Sequence, residues 1–203
     1  LDWLYEWIDL RSDVNELAER LTTAGLEVEA VLDVAPPFSG VIVAEIIGVQ
    51  RHPETDQLKV CEVSDGNTII SVVCGAPNAE PGVKTAFAPV GANLPGGIRI
   101  EKVQLRGIWS GGMLCSAKEL GIGEDGEGLL AVGSDTPAGT PLREYLGLDD
   151  VILDIDLTPN RGDCFSILGV AREVAAIYRR KLKVNAISPV AVAIDEKFPV
   201  SVK

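Results

Sequence analysis

Two hydrophobic periods follow one another in the first 34 residues. Val14, Leu17, Ala18, Leu21 and Ala24 recur at the i, i+3, i+4, i+7 spacing of a helix with one buried face. Ser12 or Asp13 can cap its start, Glu16 stands three residues after Asp13, and Gly25 can close it. Leu26, Val28 and Ala30 then alternate with Glu27 and Glu29, the period of a half-buried strand. Pro36-Pro37 and Ser39-Gly40 mark a boundary, since proline cannot donate to a ladder.

From residue 40 the pattern becomes short β-rich runs separated by turn chemistry. Strands are predicted at 41–49, 58–63, 68–73, 84–87 and 98–103, with turns at Asp65-Gly66-Asn67, Pro77-Asn78 and Pro95-Gly96-Gly97. Five strands and a short helical stretch at 116–120 fit an OB-type β-barrel better than a sandwich, which needs about seven strands. After residue 151 the pattern reverts. Val151, Leu153 and Ile155 alternate as a strand, 158–163 breaks the chain, and Asp163 is placed to cap a helix carrying Ile167, Val170, Ala171, Val174, Ala175 and Tyr178. Arg179, Arg180, Lys181 and Lys183 load its C-terminal end, where the helix dipole favours cations.

Neither helical flank is long enough to bury a core alone. The expectation is therefore an α+β multidomain chain. A discontinuous helical domain (1–39 plus 151–188) packs the helix around Leu17 and Leu21 against the one around Val170 and Val174, and a five-stranded OB-type β-barrel (40–150) is inserted into it. Residues 189–203 read as a linker and the start of a further strand. The missing initiator methionine and the unfinished pattern suggest a piece of something longer.

Composition narrows the class. Apolar residues at 46% and charged residues at 24% are those of a folded globular chain, which excludes disorder and collagen. No apolar run approaches a membrane span and no signal-peptide pattern opens the chain, so a cytoplasmic location without a membrane is expected. The four cysteines form no CxxC pair and have one histidine, His52, to assist them. That spacing favours reduced buried thiols over zinc, and no metal site is expected. The net charge of −12 opposes nucleic-acid binding on average, but residues 81–118 hold Lys84, Arg99, Lys102, Arg106 and Lys118 against Glu101 alone. The average conceals one cationic window.

Catalytic motifs are missing. Gly121 to Gly126 spells GxGxxG, yet it carries Glu124 and Asp125 and lacks the strand and helix that aim such a loop at a pyrophosphate. There is no P-loop. Arg161-Gly162-Asp163 reads as a tight helix start, not an adhesion signal, and His52 has no nucleophile motif beside it.

Four stretches carry a resemblance. They are 51–61 (RHPETDQLKVC), 73–78 (VCGAPN), 91–97 (GANLPGG) and 105–116 (LRGIWSGGMLCS). In this order they closely resemble the tRNA-binding OB domain shared by aminoacyl-tRNA synthetases and free-standing tRNA-binding proteins. The flanks, 3–31 and 156–169 (DLTPNRGDCFSILG), resemble the bacterial phenylalanyl-tRNA synthetase β chains, in which a helical domain is split by such a barrel. The resemblance covers about residues 1–185. It implies a non-catalytic binding and assembly portion of a ligase subunit, with tRNA and an α subunit as partners in a heterotetramer of two α and two β chains. ATP and magnesium belong to the whole ligase, and no cofactor is implied for this portion. The first stretch departs from the family, having Glu54, Thr55 and Gln57 where Asn, Ala and Lys are usual.

The candidate tRNA-binding residues follow from this face and from the cationic window. Lys59, Lys84, Arg99, Lys102 and Arg106 supply charge, Asn78, Ser110 and Ser116 hydrogen bonds, and Met113 or Trp109 an apolar platform. The competing readings are a protein-interaction barrel with little RNA affinity and a free-standing tRNA-binding or chaperone-like protein.

Overall fold

The computed structural model describes residues 1–183, 188–191 and 196–202. In chain order its helices and strands are α1 (Asp2–Tyr5), α2 (Val14–Thr23), β1 (Glu27–Asp33), β2 (Ile42–Arg51), β3 (Lys59–Ser64), β4 (Ile69–Cys74), β5 (Lys84–Pro89), β6 (Asn93–Leu94), β7 (Ile98–Arg99), β8 (Val103–Leu105), β9 (Ile108–Ser110), β10 (Gly112–Cys115), α3 (Leu142–Leu146), β11 (Val151–Asp156) and α4 (Ile167–Tyr178). Two compact units result, residues 1–29 with 155–203 and residues 30–154. The division falls inside β1 and β11, which pair with each other.

In the first unit Asp13, not Ser12, caps α2, accepting from the backbone N–H of Asn15 at 2.9 Å and Glu16 at 3.1 Å. Leu17 and Leu21 are buried, and Gly25 ends the helix at φ +88°, a conformation that suits glycine. The two flanks of the chain meet here. Arg20 on α2 lies over the Tyr178 ring of α4 at 4.8 Å, Ile8 bridges Leu182, and Lys183 Nζ donates to Tyr5 O at 3.0 Å. Asp163 does not cap α4, because its carboxylate faces Arg161, and Ser166 accepts from Gly169 N–H at 3.0 Å instead. Of the linker and strand expected at 189–203, residues 189–191 and 196–202 belong to no helix or strand, and 192–195 and 203 lie outside the described residues.

The second unit is the barrel, an antiparallel sheet in the order β10-β5-β2-β3-β4. Long β2 serves two neighbours, pairing β5 through Ile42 to Glu45 and β3 from Glu45 to Arg51, with an irregularity between Ile46 and Gly48 that bends it. Closure comes from Gly111 N–H donating to Ser71 O at 2.8 Å on the far edge strand. Alternation on β5 shows where the cores lie. Phe87 joins Ile46, Val63, Val72 and Leu114 inside the barrel. Ala86 and Ala88 turn to a second cluster with Phe38, Leu120, Leu142 and Leu148, which covers the outer face.

Three expectations are corrected. The fifth barrel strand is β10, not 98–103. That stretch is split by turns: Ile98 and Arg99 pair back on β6, Ile100 is buried, and β8 turns into β9 through Arg106 and Gly107, both at positive φ. Residues 116–120 form a turn, since Ser116 and Glu119 cap each other and Gly121 follows at positive φ. Helix α3, which covers the outer face, was not expected.

Candidate nucleic-acid interface

The barrel unit carries a cleft of about 640 Å³ lined by the ends of β4 and β10, the 99–105 segment and residues 126–129. Stretches far apart in sequence converge there: Leu58, Cys74 to Ala76, and Ser110 to Ser116 all contribute wall. The walls are apolar, with Leu58, Val73, Leu105, Met113 and Leu129. Its charged lining is Arg99 against Glu101, Glu119 and Glu127, so acidic groups outnumber cationic ones along it.

The nine candidate residues separate by what they touch. Arg99, Ser110, Met113 and Ser116 line the cleft; Met113 is half-buried and also packs on the outer core. Ser110 is buried, and its Oγ accepts from Val73 N–H at 3.1 Å while donating to Gly112 O at 2.8 Å. It is a clasp of barrel closure with no free hydrogen-bonding group to offer outward. Ser116 is likewise engaged, donating through N–H and Oγ to Glu119 Oε2 at 2.7 and 2.8 Å. Asn78 clamps the cleft wall, since its amide donates to Leu129 O at 3.1 Å and accepts from Leu129 N–H at 2.8 Å. Lys59 donates to Pro77 O and Ala79 O at 2.9 and 3.0 Å. Lys84 ties the 134–136 segment through Ser134 O and Thr136 O, away from the cleft.

That leaves three exposed cations on one arm. Arg99 ends β7, Arg106 sits at the tip of the β8–β9 hairpin, and Lys102 lies over the Trp109 ring at 5.5 Å. Trp109 is 53% exposed, with Ile98, Val103 and Leu105 exposed beside it in sequence. Sequence reasoning missed what holds this arm. His52 is buried, and its Nδ1 accepts from Glu54 N–H at 3.2 Å, so Nε2 carries the proton and donates to Leu105 O at 3.3 Å. The missed signal was the histidine beside Pro53, which reads locally as a loop.

The geometry agrees with comparison to known proteins. The tRNA binding domain family matches residues 41–141, the barrel and its cleft. Phenylalanine–tRNA ligase β subunits match flanks and barrel together: 49% identity over 201 residues in Hahella chejuensis, 50% over 200 in Pseudomonas putida and 52% over 195 in Legionella pneumophila, or 99%, 98% and 96% of this chain. The chain belongs to the phenylalanine–tRNA ligase β-subunit family. It spans about a quarter of the length of those relatives, 25% in each case. The family relation thus extends beyond the barrel, into the helical unit that the barrel interrupts.

The remaining chemistry of this family member is structural. Asp163, Cys164 and Glu173 cluster as metal ligands could, but Arg161 sits among them, donating to Glu173 at 2.9 Å, Cys164 Sγ at 3.1 Å and Asp163 at 3.2 Å. Its guanidinium supplies the positive charge and holds the Asp163 carboxyl below the usual range. The GxGxxG stretch is a turn in which Lys118 N–H donates to Asp125 O, and no helix follows to receive a phosphate. Among the described residues no helix is long and apolar enough to cross a membrane.

Proposed function

We propose that this chain is the tRNA-binding and assembly portion of a phenylalanine–tRNA ligase β subunit, and that it contributes grip, not chemistry. The whole enzyme would join phenylalanine to its tRNA in the cytoplasm, as two α and two β chains. ATP and magnesium would bind elsewhere in that assembly, since no phosphate cradle forms among the described residues. One observation carries the reading: within the segment matched by the tRNA binding domain family, Arg99, Lys102 and Arg106 are exposed on the 98–110 arm, where Lys102 lies over the exposed Trp109 ring. Cations can hold phosphates while an aromatic face takes an unstacked base. Of the other candidates, Asn78, Ser110, Met113 and Ser116 would act by shaping the cleft, and Lys59 and Lys84 by bracing loops.

The net charge of −12 makes the grip weak, with Kd on the order of 10⁻⁴ to 10⁻⁶ M for nonspecific contacts. Screening within about 10 Å at 0.1 M salt lets the local arm prevail over the distant acidic surface. If three phosphates are neutralised, log K falls with log salt at a slope of roughly −2 to −3. A salt titration of tRNA binding tests this. Lys102→Ala with Arg106→Ala should flatten the slope, whereas Arg180→Ala in the other unit should not. A second reading has its own observation, the excess of glutamates along the cleft, which suits a cationic protein segment. An unchanged slope in the double variant would favour it.

A further inference from the structure

The β8–β9 hairpin has two faces, and alternation along the chain assigns them. Glu101, Val103 and Leu105 line the cleft, whereas Lys102 and Gln104 between them do not. Across the hairpin Val103 pairs with Ser110 and Gln104 with Trp109, so Ser110 shares the cleft face and Trp109 the opposite one. Lys102, Gln104 and Trp109 are all exposed, and they stand together on an outer face turned away from the cleft. Arg99 lines the cleft and is not part of this face.

A fixed frame displays this face. At its base Ser110 Oγ is bonded to Val73 N–H and Gly112 O, and Gly111 N–H donates to Ser71 O. His52 holds Leu105 O, and Gln104 Nε2 donates to Gly107 O at 3.0 Å to close the turn. Trp109 is therefore presented on a pre-organised ribbon, which lowers the ordering cost of binding a ligand there. The charge around it is cationic, with Lys102 over the ring and Arg106 at the turn. Residues 102–110 contain no carboxylate; Glu54 reaches the turn from outside the hairpin, its Oε1 lying 3.9 Å from where a side chain on Gly107 would begin.

We propose that this outer face is a stacking seat for an unpaired nucleotide, so that the arm distinguishes single-stranded stretches of tRNA from its helical stems. The inference rests on the tRNA-binding reading above and says which part of the RNA the arm takes. Two cations beside one aromatic ring complement a nucleotide, which joins an anion to a planar base. In a duplex the base faces are covered by their neighbours, and Lys102 and Arg106 meet phosphates alone. An unpaired base has a free face to lay on the indole. The contact between Lys102 and the ring is weak at so exposed a site, so the ammonium swings to a flanking phosphate as the base takes its place.

The test titrates the chain with an unstructured RNA oligonucleotide and with an RNA duplex of equal phosphate number, at one salt concentration. Electrostatics alone favours the duplex, whose charge density is higher, so the unaltered chain should reverse that order and prefer the single strand. Trp109→Ala should weaken single-strand binding by about 5- to 150-fold, the range of one stacked base, and leave duplex binding unchanged. Duplex binding thus doubles as the check that the variant is folded. Trp109→Phe, which keeps a ring, should restore most of the loss, and Lys102→Ala with Arg106→Ala should weaken both probes. A preference of the unaltered chain for the duplex, no loss in Trp109→Ala, or a greater loss with Leu105→Ala on the cleft face would overturn the proposal while leaving tRNA binding by the chain in place. Failure of the unaltered chain to bind either probe or tRNA would overturn both.

Discussion

Ser110 and Thr85 are both buried hydroxyls on barrel strands, yet their energetics have opposite signs. Ser110 Oγ makes two hydrogen bonds that join β4 to the β9–β10 junction, whereas Thr85 Oγ1 has no partner among the described residues. Removing the Ser110 hydroxyl strands the buried N–H of Val73. Ser110→Ala should therefore cost about 1–3 kcal/mol, read as a lower urea midpoint at constant m. Thr85→Val keeps the shape and discards an unsatisfied polar atom. It should raise stability by about 1 kcal/mol, and any loss would mean that the hydroxyl has a partner such as an ordered water. The same distinction governs the candidate site: Lys59, Asn78, Ser110 and Ser116 look available in the sequence and are engaged in the fold.

Among the elements, the β3–β4 hairpin depends on one carboxylate. Asp65 accepts from Asn67 N–H at 2.8 Å, Thr68 N–H at 2.7 Å and Thr68 Oγ1 at 3.0 Å, and these bonds hold its carboxyl below the usual range. A depressed carboxyl stabilises the fold at every pH above its unfolded value, near 4. That contribution disappears as the pH falls through the lower, folded value. Asp65→Asn should remove this part of the acid dependence, and denaturant midpoints measured from pH 5 to about 2 would show it as a shallower decline. Turns of this kind were legible, since Asp-Gly-Asn announces itself locally. The fifth barrel strand was not, because Ile98 to Ile100 alternates as a strand does while Gly112 to Cys115 is a run of only four residues, and only closure onto β5 distinguishes them.

For the whole molecule, the proposed function separates binding from catalysis. The barrel has a cleft and a cationic arm, but among the described residues nothing forms a phosphate cradle, and the cluster around Asp163 already holds a guanidinium. The chain alone should give no phenylalanine-dependent exchange of pyrophosphate into ATP above background. Exchange lost on mutation within the chain would place a nucleotide site here and overturn the division of labour. On the proposed reading the cationic arm acts as one weak contact among several. Linking such contacts multiplies their effect through local concentration, so a weak grip here can still contribute to a tight complex.

By itself the sequence determined what is decided within a few residues. A cap at Ser12 or Asp13, the 3.6-residue period through Leu21 and the Gly25 stop specify α2, and alternating runs between Gly- and Asn-containing turns specify β2 to β5. The four resembling stretches likewise announced a barrel, and with it the side on which tRNA-binding residues were expected. The tertiary structure alone decided which polar groups that side still offers. Ser110 finds Val73 37 residues away, Asn78 finds Leu129 across 51 and Lys84 finds Thr136 across 52. Such partners are chosen by which strands the closing barrel brings together, and no local period encodes that choice. A lysine bound to two carbonyls and a lysine free to meet a phosphate are the same letter until the chain has folded around one of them.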